Sequence, residues 1–440
     1  MLISKQEYAA RRQRVLQYIG QDGIVFIPSA SEVRRAGDTT YYFRQDSNFY
    51  YLTGFNEPDA VLVLAPGHPE GEFILFNRPR DPLMETWHGF RIGQEGASSV
   101  VGADCAYAID TFYDHLPDLL TNRKRVCYPV GRDTAIDELL MESVNTLRSK
   151  VRSGISVPEE FHNIEPFVHE MRLKKSSAEI ATMYKAAEAS VAGHKRAMRA
   201  CVPGMFEYEL EAELMYELYR HGCRAAAYPS IVGGGANACI LHYTTNQERL
   251  QDGDLVLIDA GGEYDCYASD ITRTFPVNGH FTEPQKQIYE LVLKAQLAGI
   301  EMIRPGIPFV NIQQKTQLIL TQGLLELGIL YGDLDTLLET KAIQRFYMHN
   351  SGHWLGLDTH DAGVYKINNK WRELEAGFVL TVEPGLYITA NSDGVDPKWW
   401  DIGIRIEDDV LVTETGYEVL TKALPKTVAE LEALMSEKNI

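Results

Sequence analysis

"VLIDAGGEYDCYASDITRTF", residues 256–275, contains two strand-like runs, and each run carries one aspartate among apolar or small neighbours. These aspartates are Asp259 and Asp270. A hairpin with a two-residue turn at Tyr264–Asp265 places Asp259 directly opposite Asp270. Directly opposed side chains have Cβ atoms roughly 4.5 to 5.5 Å apart. Two carboxylates held that close repel each other, and a metal ion between them would remove the repulsion.

A second hairpin is compatible with the same stretch. Gly261–Gly262 is a better two-residue turn, because tight hairpin turns favour glycine at their central positions. A turn at these glycines pairs Asp259 with Tyr264 and separates the two acids, which are then unrelated polar residues at strand ends. The stretch alone leaves both hairpins open, and the rest of the chain has to decide between them.

The length and composition limit the class of protein. A chain of 440 residues exceeds the range in which a single core usually grows, so two domains are expected. The hydrophobic fraction of 45% and the charged fraction of 23% are typical of soluble globular proteins. The longest apolar runs stop far short of the roughly 20 residues that span a bilayer. The N-terminus lacks the apolar core of a signal peptide, which predicts a cytoplasmic protein without a membrane partner.

The charge and the cysteines exclude further classes of function. A formal charge of −19 disfavours nucleic acid and anionic lipid as partners, because the field of the protein repels phosphate. Acidity keeps a large protein soluble, and it also permits a cluster of acids around cations. The six cysteines show no C-x-x-C spacing, which argues against a disulfide framework and against a thiolate zinc site.

The pattern along the chain predicts a domain boundary near residue 172. Residues 1–172 alternate strand-like runs with helical stretches such as 136–150, which is an α/β pattern. Ser176 and Glu179 then form a capping box at the head of a long helix. Residues 173–440 are predicted to be α+β with antiparallel strands. Their predicted elements are helices at 207–222, 284–303 and 309–328 and strands at 254–275, 378–388 and 402–413.

Two glutamates in the C-terminal half lie in strand-like, apolar surroundings. Glu383 closes the strand in "FVLTVEPGLYI", and Glu407 shares one strand face with Arg405 in "DIGIRIEDDVLVT". A glutamate at the buried end of a strand needs a partner. For Glu407 taken alone, a salt bridge with Arg405 is the simpler interpretation.

Three histidines fall within the twelve residues from His349 to His360. Each of them alone could be an ordinary hydrogen-bonded histidine. His349 and His353 are four residues apart, as in a helical metal-binding pair. Gly352 and the following "WLG" argue against a continuous helix, so this spacing does not establish that both bind a metal.

Taken together, these motifs resemble a known family. The ordered series "IDAG", "SDITRTF", "SGHWLGLDTHD", "TVEPGLY" and "IRIED" resembles the metallopeptidases of the pita-bread fold, which include aminopeptidase P, prolidase and methionine aminopeptidase. "RQDSNFYYLTGFNEPDAVLVL" resembles the N-terminal domain of the aminopeptidase P and prolidase branch, which methionine aminopeptidases lack. "HWLGLDTHD" together with "VEPGLY" is most similar to bacterial aminopeptidase P.

The resemblance implies a pita-bread catalytic domain over residues 173–440, preceded by a smaller α/β domain over 1–172. It also favours the longer hairpin and implies a centre of two divalent metal ions. Ligands dominated by carboxylate, with one imidazole, suit Mn²⁺. The implied ligands are Asp259 on one metal, Asp270 and Glu407 bridging both, and His353 and Glu383 on the second.

The implied reaction is the release of an N-terminal residue from a peptide whose second residue is proline. A hydroxide that bridges the two metals would attack the scissile carbonyl. Six residues receive catalytic roles: Glu383 as proton shuttle, His349 and His360 as groups that hold the substrate carbonyl and the oxyanion, His242 as a substrate contact, and Arg405 and Tyr387 as residues that orient Asp259 or its neighbours.

Two other functions share these motifs. A prolidase has the same five ligands but cleaves only dipeptides, and some relatives with this fold have lost the metal and bind partners instead. The resemblance further implies a homotetramer, in which the aromatic residue Trp87 of "METWHGF" could close the active site of a neighbouring copy. The alternative for Trp87 is a buried core position.

Overall fold

The computed structural model describes residues 2–437. Contacts within the chain group Ile3–Arg172 into one compact unit and the residues from Leu173 onward into a second. Among the described residues, no helix is long and apolar enough to cross a membrane.

The first unit is built on one mixed sheet of six strands, which confirms the predicted α/β pattern. Its core contains the buried side chains of Ile24, Phe26, Val63 and Phe76. Residues 24–27 of the strand Gly23–Pro28 are all buried, and burial of successive residues is typical of a strand covered on both faces. The strands, in spatial order, are Cys105–Ala108, Phe73–Asn77, Val61–Leu64, Gly23–Pro28, Arg125–Tyr128 and Glu160–Asn163. A separate exposed hairpin pairs Arg34–Ala36 with Thr39–Thr40.

Helices surround this sheet, and most of them begin at a side chain that caps the helix. Ser4, Asp46, Asp81 and Asp133 each accept a hydrogen bond from a backbone N–H of the first turn. The α-helices are Lys5–Ile19, Ser47–Thr53, Pro82–His88, Gly93–Gly96, Phe112–Leu120, Thr134–Ser149 and Glu165–Leu173. Single turns of 3₁₀- or π-helix occupy Ala97–Val101, Ile109–Thr111 and Val151–Ser153.

The second unit begins with the long helix that the capping box predicts. The Ser176 hydroxyl accepts a bond from the Glu179 backbone, and the Glu179 carboxylate accepts one from the Ser176 backbone, so the prediction is confirmed. The α-helices are Ser177–Ala200, Glu207–Arg220, Glu283–Glu301, Val310–Glu326, Leu334–Glu339 and Val428–Ser436, with 3₁₀ turns at Gly235–Cys239, Ala342–Arg345 and Pro397–Trp399.

Short antiparallel strands complete the second unit and confirm the predicted α+β class. Three sheets carry the candidate site: Ile231–Gly234 with Leu255–Asp259 and Thr272–Pro276, Val379–Val382 with Asp408–Val412 and Tyr417–Val419, and Gly385–Ile388 with Ile402–Arg405. The remaining strands are Ala225–Ala226, Gly262–Tyr264, Tyr267–Ala268, Lys366–Ile367 and Lys370–Trp371.

The hairpin at 255–276 exists, but its predicted register is wrong by two residues. Asp265 and Cys266 have φ values of 46° and 67°, so they are the two central residues of the turn, and Tyr264 pairs with Tyr267. A turn with positive φ at both central residues matches the twist of the flanking strands. Asp259 therefore lies opposite Thr272, and Asp270 is its diagonal neighbour.

The glycine pair in this hairpin serves close packing instead of a turn. A Cβ on Gly261 would lie 1.7 Å from the Ser269 carbonyl oxygen, and one on Gly262 would lie 2.8 Å from the Cys223 Sγ. Only glycine lets these backbones approach so closely. A register shift of two residues keeps each side chain on its own face of the hairpin. Asp259 and Asp270 consequently still face the same region.

Candidate metal centre

Strand ends place the carboxylates of the candidate site. A strand end exposes side chains at the edge of a sheet while the strand itself fixes their direction. The four acids lie as follows: Asp259 is the last residue of its strand, Asp270 precedes Thr272–Pro276 by two residues, Glu383 follows Val379–Val382, and Glu407 lies between Ile402–Arg405 and Asp408–Val412.

Three of the five predicted ligands form the centre of the site. One potential ligand atom from each of Asp270, His353 and Glu407 lies within 4.8 Å of the other two. Glu383 joins them, because its Oε1 is 3.7 Å from the His353 Nε2, and that nitrogen is 3.3 Å from the Asp270 Oδ2. The structure thus brings residues from four separate segments of the chain to one point.

Asp259 reaches this group through a residue that was not predicted, Tyr228. The Tyr228 hydroxyl lies 2.6 Å from the Asp259 Oδ1 and 2.5 Å from the Asp270 Oδ1. One phenol therefore bridges the two aspartates of the hairpin. Tyr228 stands in "RAAAYPS", where nothing in the local pattern distinguishes it from a packing residue.

The orientation of His353 fits a metal ligand. Its Nδ1 lies 2.9 Å from the Trp354 carbonyl oxygen, so that nitrogen carries a proton and Nε2 faces the carboxylates. Metal-binding histidines are usually held in this way by a backbone carbonyl. With several carboxylate oxygens and one imidazole, the donor set suits a divalent ion that prefers oxygen.

The pKa shifts of the carboxyl groups in the site also fit a metal centre. Burial raises the pKa of Glu383 to about 7, and burial together with the neighbouring carboxylates raises the pKa of Asp259 and of Glu407. Burial also acts to raise the pKa of Asp270, but the hydrogen bond and charge of His353 outweigh it, and the net direction is downward. Acids that disfavour one another's charge are the environment that divalent cations stabilise.

A chain of three side chains supports Asp259 from the opposite side. The Arg405 guanidinium donates to the Asp259 Oδ2 at 2.7 Å and to the Tyr387 hydroxyl at 2.8 Å. That hydroxyl lies 2.8 Å from the His349 Nε2 and donates its own proton to it. His349 therefore carries its proton on Nδ1, 2.8 Å from the Asn350 carbonyl oxygen. Burial, followed by the charge of Arg405, lowers the pKa of His349 to about 3, so this ring is neutral.

The simple interpretation of Glu407 as a salt-bridge partner of Arg405 is wrong. The ion pair of Arg405 is with Asp259, and the Glu407 Oε2 accepts a hydrogen bond from the Thr272 hydroxyl at 2.7 Å. The side chains of Arg405 and Glu407 both contact the Thr272 hydroxyl, but the two terminal nitrogens of Arg405 donate to Asp259 and Tyr387. Glu407 is 1% exposed and faces the metal-site cluster instead.

Asp409 is a second residue that the sequence analysis missed. Its carboxylate accepts hydrogen bonds from the Asp270 backbone N–H at 3.2 Å and from the Ser269 hydroxyl at 2.8 Å. Burial and then the charge of Asp270 raise the pKa of Asp409 well above its ordinary value. Asp409 fixes the backbone that carries Asp270.

The other predicted histidines border the cluster. The rings of His353 and His360 are 4.3 Å apart between centroids, and His360 is exposed. His242 is also exposed. Burial is the largest cause that lowers the pKa of His349 and of His360, and the charge of His242 is a smaller cause in both. Residues 349–353 do not form a helix, so His349 and His353 are not a helical pair.

Comparison with protein families identifies both parts of the chain. Residues 181–414 match metallopeptidase family M24, and residues 8–128 match the N-terminal domain of aminopeptidase P. The first match covers more than half of the chain.

Individual relatives match over the full length. A curated Xaa-Pro aminopeptidase of Haemophilus influenzae is 47% identical over 99% of this chain and 98% of its own. The structure of Pseudomonas aeruginosa aminopeptidase PepP superposes with a TM-score of 0.98 at 50% identity, covering 100% of this chain and 99% of that one. Zinc-substituted Escherichia coli aminopeptidase P in complex with product has a TM-score of 0.96 at 45% identity, covering 100% and 99%.

Proposed function

The chain belongs to metallopeptidase family M24, and from this membership we propose that it is a metal-dependent aminopeptidase that releases the N-terminal residue of peptides with proline in second position. The observation that carries this function is the convergence of Asp270, His353 and Glu407 on one point, with Asp259 and Glu383 beside them. Relatives at 47% and 46% identity over nearly the whole chain are Xaa-Pro aminopeptidases.

Two divalent ions are the proposed cofactors, and Mn²⁺ is the proposed native metal. Asp259, Asp270, Glu383 and Glu407 supply four negative charges, which balance the charge of two such ions. When bound, the ions supply Lewis acidity at the scissile carbonyl and lower the pKa of a water molecule. The side chains that would hold the ions are those of Asp259, Asp270, His353, Glu383 and Glu407.

The protein's own side chains supply the remaining steps. Glu383 accepts the proton of the attacking water and returns it to the departing nitrogen. Arg405 and Tyr387 hold Asp259 and the His349 ring in fixed directions through the contacts described above. His360 lies against His353 and is exposed, which suits a group that donates to the substrate carbonyl or to the oxyanion. His242 is proposed to contact the substrate.

Substrate specificity gives the first prediction. The proline nitrogen carries no hydrogen and its ring fixes φ, so a pocket shaped for that ring selects it by fit. With Mn²⁺ present, we expect the enzyme to cleave Xaa-Pro-Yaa, and to cleave Xaa-Ala-Yaa far more slowly, when released amino acids are measured by chromatography.

The same assay distinguishes the competing functions. Cleavage confined to the dipeptide Xaa-Pro would identify a prolidase. Equal rates on the proline and alanine peptides would remove the claim of proline specificity. Tight peptide binding without turnover would indicate a non-catalytic binding protein.

Residues 1–172 and 173–440 are proposed as two domains, and the protein is proposed to be a cytoplasmic homotetramer. Trp87 supports the assembly, because its side chain is 76% exposed and the interpretation as a buried core residue is wrong. Light scattering at working concentration should therefore give the mass of four chains. A strictly monomeric mass would contradict this arrangement.

A further inference from the structure

A buried carboxylate outside the metal centre has an unusual set of partners. Glu207, the first residue of the helix Glu207–Arg220, is 0% exposed. Its Oε1 accepts hydrogen bonds from the Gly234 N–H at 2.9 Å and the Asn237 side-chain amide at 3.0 Å. Its Oε2 accepts from the Tyr243 hydroxyl at 2.8 Å and the Glu248 N–H at 2.9 Å. Within residues 2–437 no lysine or arginine forms an ion pair with it, so the hydrogen-bond partners of the carboxyl group are these four neutral donors.

All four donors belong to one segment, residues 234–248, which we call the His242 loop. The loop leaves the strand Ile231–Gly234 and returns alongside the start of the helix, where the Glu207 N–H donates to the Glu248 carbonyl at 3.0 Å. Gly234 and Glu248 are the two ends of the loop, while Asn237 and Tyr243 lie within it. One carboxylate thus closes the loop at both ends and holds it in the middle.

This loop carries a residue of the proposed active site. The His242 side chain is exposed, so its position depends on the backbone of the loop and not on packing around the ring. Its neighbours Leu241 and Tyr243 are partly buried and pack against a small cluster that includes Leu257 and Tyr387. Tyr243 therefore connects Glu207, through its hydroxyl, to the apolar surroundings of Tyr387.

From these contacts we infer that Glu207 is a positioning residue, which fixes the His242 loop so that His242 meets the substrate. This inference rests on the proposed function, because it requires that His242 contact the peptide. It places a residue of the helix Glu207–Arg220, which supplies none of the proposed metal ligands, among the determinants of activity. The contact is specific to a carboxylate, since four donors need two acceptor oxygens.

The substitution Glu207→Gln tests the inference. Glutamine keeps the size of the side chain but turns one acceptor oxygen into an NH₂ group, which faces two donors. We expect kcat/KM for Xaa-Pro-Yaa to fall on the order of 10- to 100-fold, the range in which a small displacement of an active-site group acts. The bound Mn²⁺ per chain should stay unchanged, and kcat and KM should change in the same proportion as in His242→Ala.

A double-mutant cycle separates positioning from a general loss of structure. If Glu207 acts through His242, adding Glu207→Gln to His242→Ala should cause no further loss of kcat/KM. The matched control is Glu213→Gln, which makes the same chemical change in the same helix, where Glu213 pairs with Arg196 at 2.5 Å outside the loop. This control should keep the wild-type kcat/KM.

Each outcome decides the inference. Wild-type kinetics for Glu207→Gln, equal losses with and without His242, or no effect of His242→Ala would each overturn it. If Glu207→Gln does not fold, Tyr243→Phe, which removes one of the four donors, is tested in the same cycle and should show a smaller loss that again vanishes without His242. A wild-type protein that fails to cleave Xaa-Pro-Yaa would contradict the proposed function itself. Normal cleavage by the wild type, together with equal losses of kcat/KM from Glu207→Gln in the presence and absence of His242, would overturn only the role of Glu207.

Discussion

Replacing Asp270 by asparagine is expected to abolish peptidase activity and leave the fold nearly unchanged. Asparagine keeps the shape of the side chain and an oxygen for the Tyr228 hydroxyl, but it removes the charge that faces His353. It also replaces one of the two carboxylate oxygens with which Asp270 would hold the proposed metal ions. The loss of a group that only orients a metal ligand lowers activity by up to roughly 100-fold. We expect Asp270→Asn to lower kcat/KM by more than this. Bound metal per chain should fall as well.

Asp265→Asn is the matched control for this substitution. Asp265 lies in the same hairpin, is exposed and has a φ of 46°, a conformation that asparagine adopts readily. The control should keep wild-type activity and metal content. An Asp270→Asn enzyme with more than a few per cent of wild-type activity and full metal content would contradict the assignment of Asp270.

The largest expected effect on stability comes from Arg273, which lies outside the metal centre. Arg273 is fully buried, and its guanidinium donates to the Asp408 carboxylate at 2.8 Å and to the Thr272 and Glu407 carbonyl oxygens. Replacing it by methionine leaves the Asp408 charge buried with Lys426 as its remaining ion-pair partner. Breaking a buried pair in this way costs about 3–5 kcal/mol. We expect the free energy of unfolding, measured by urea denaturation, to fall by that amount.

Lys422→Met is the comparison for Arg273→Met. The Lys422 side chain is 72% exposed and lies 4.0 Å from Glu418, so its pair contributes at most about 1 kcal/mol. Equal unfolding free energies for the two variants would show that the Arg273 network does not stabilise the fold. Since Arg273 also holds the backbone of Glu407, the destabilised variant should lose bound metal at lower urea than the wild type.

The sequence predicts the elements of this fold because its local signals agree with one another. The capping box at Ser176 predicts the long helix Ser177–Ala200, and strand-like runs predict the sheet of the first unit. The family resemblance singles out five ligand candidates, and the structure brings them to one region. Helix caps and strand-like runs depend only on residues that are close together along the chain, so a single sequence is enough to recognise them.

Long-range geometry explains what the sequence did not predict. The turn was predicted one residue too early, at Tyr264–Asp265 instead of Asp265–Cys266, because nothing in the sequence pattern marks Cys266 as a residue with positive φ. The glycine pair is explained by its close contacts with Ser269 and Cys223. Tyr228 was missed because its hydroxyl meets Asp259 and Asp270 only after three segments have folded together. No spacing of residues along the sequence predicts a contact between segments that are brought together only by folding.

Metal titration of the stripped enzyme tests whether cleavage requires bound metal. The protein is dialysed exhaustively against a chelator, its metal content is checked by mass spectrometry, and Mn²⁺ is added back while Xaa-Pro-Yaa cleavage is followed. We expect no cleavage by the metal-free protein and a return of activity as two ions bind per chain. Full activity in protein that is shown to contain no metal would contradict this expectation.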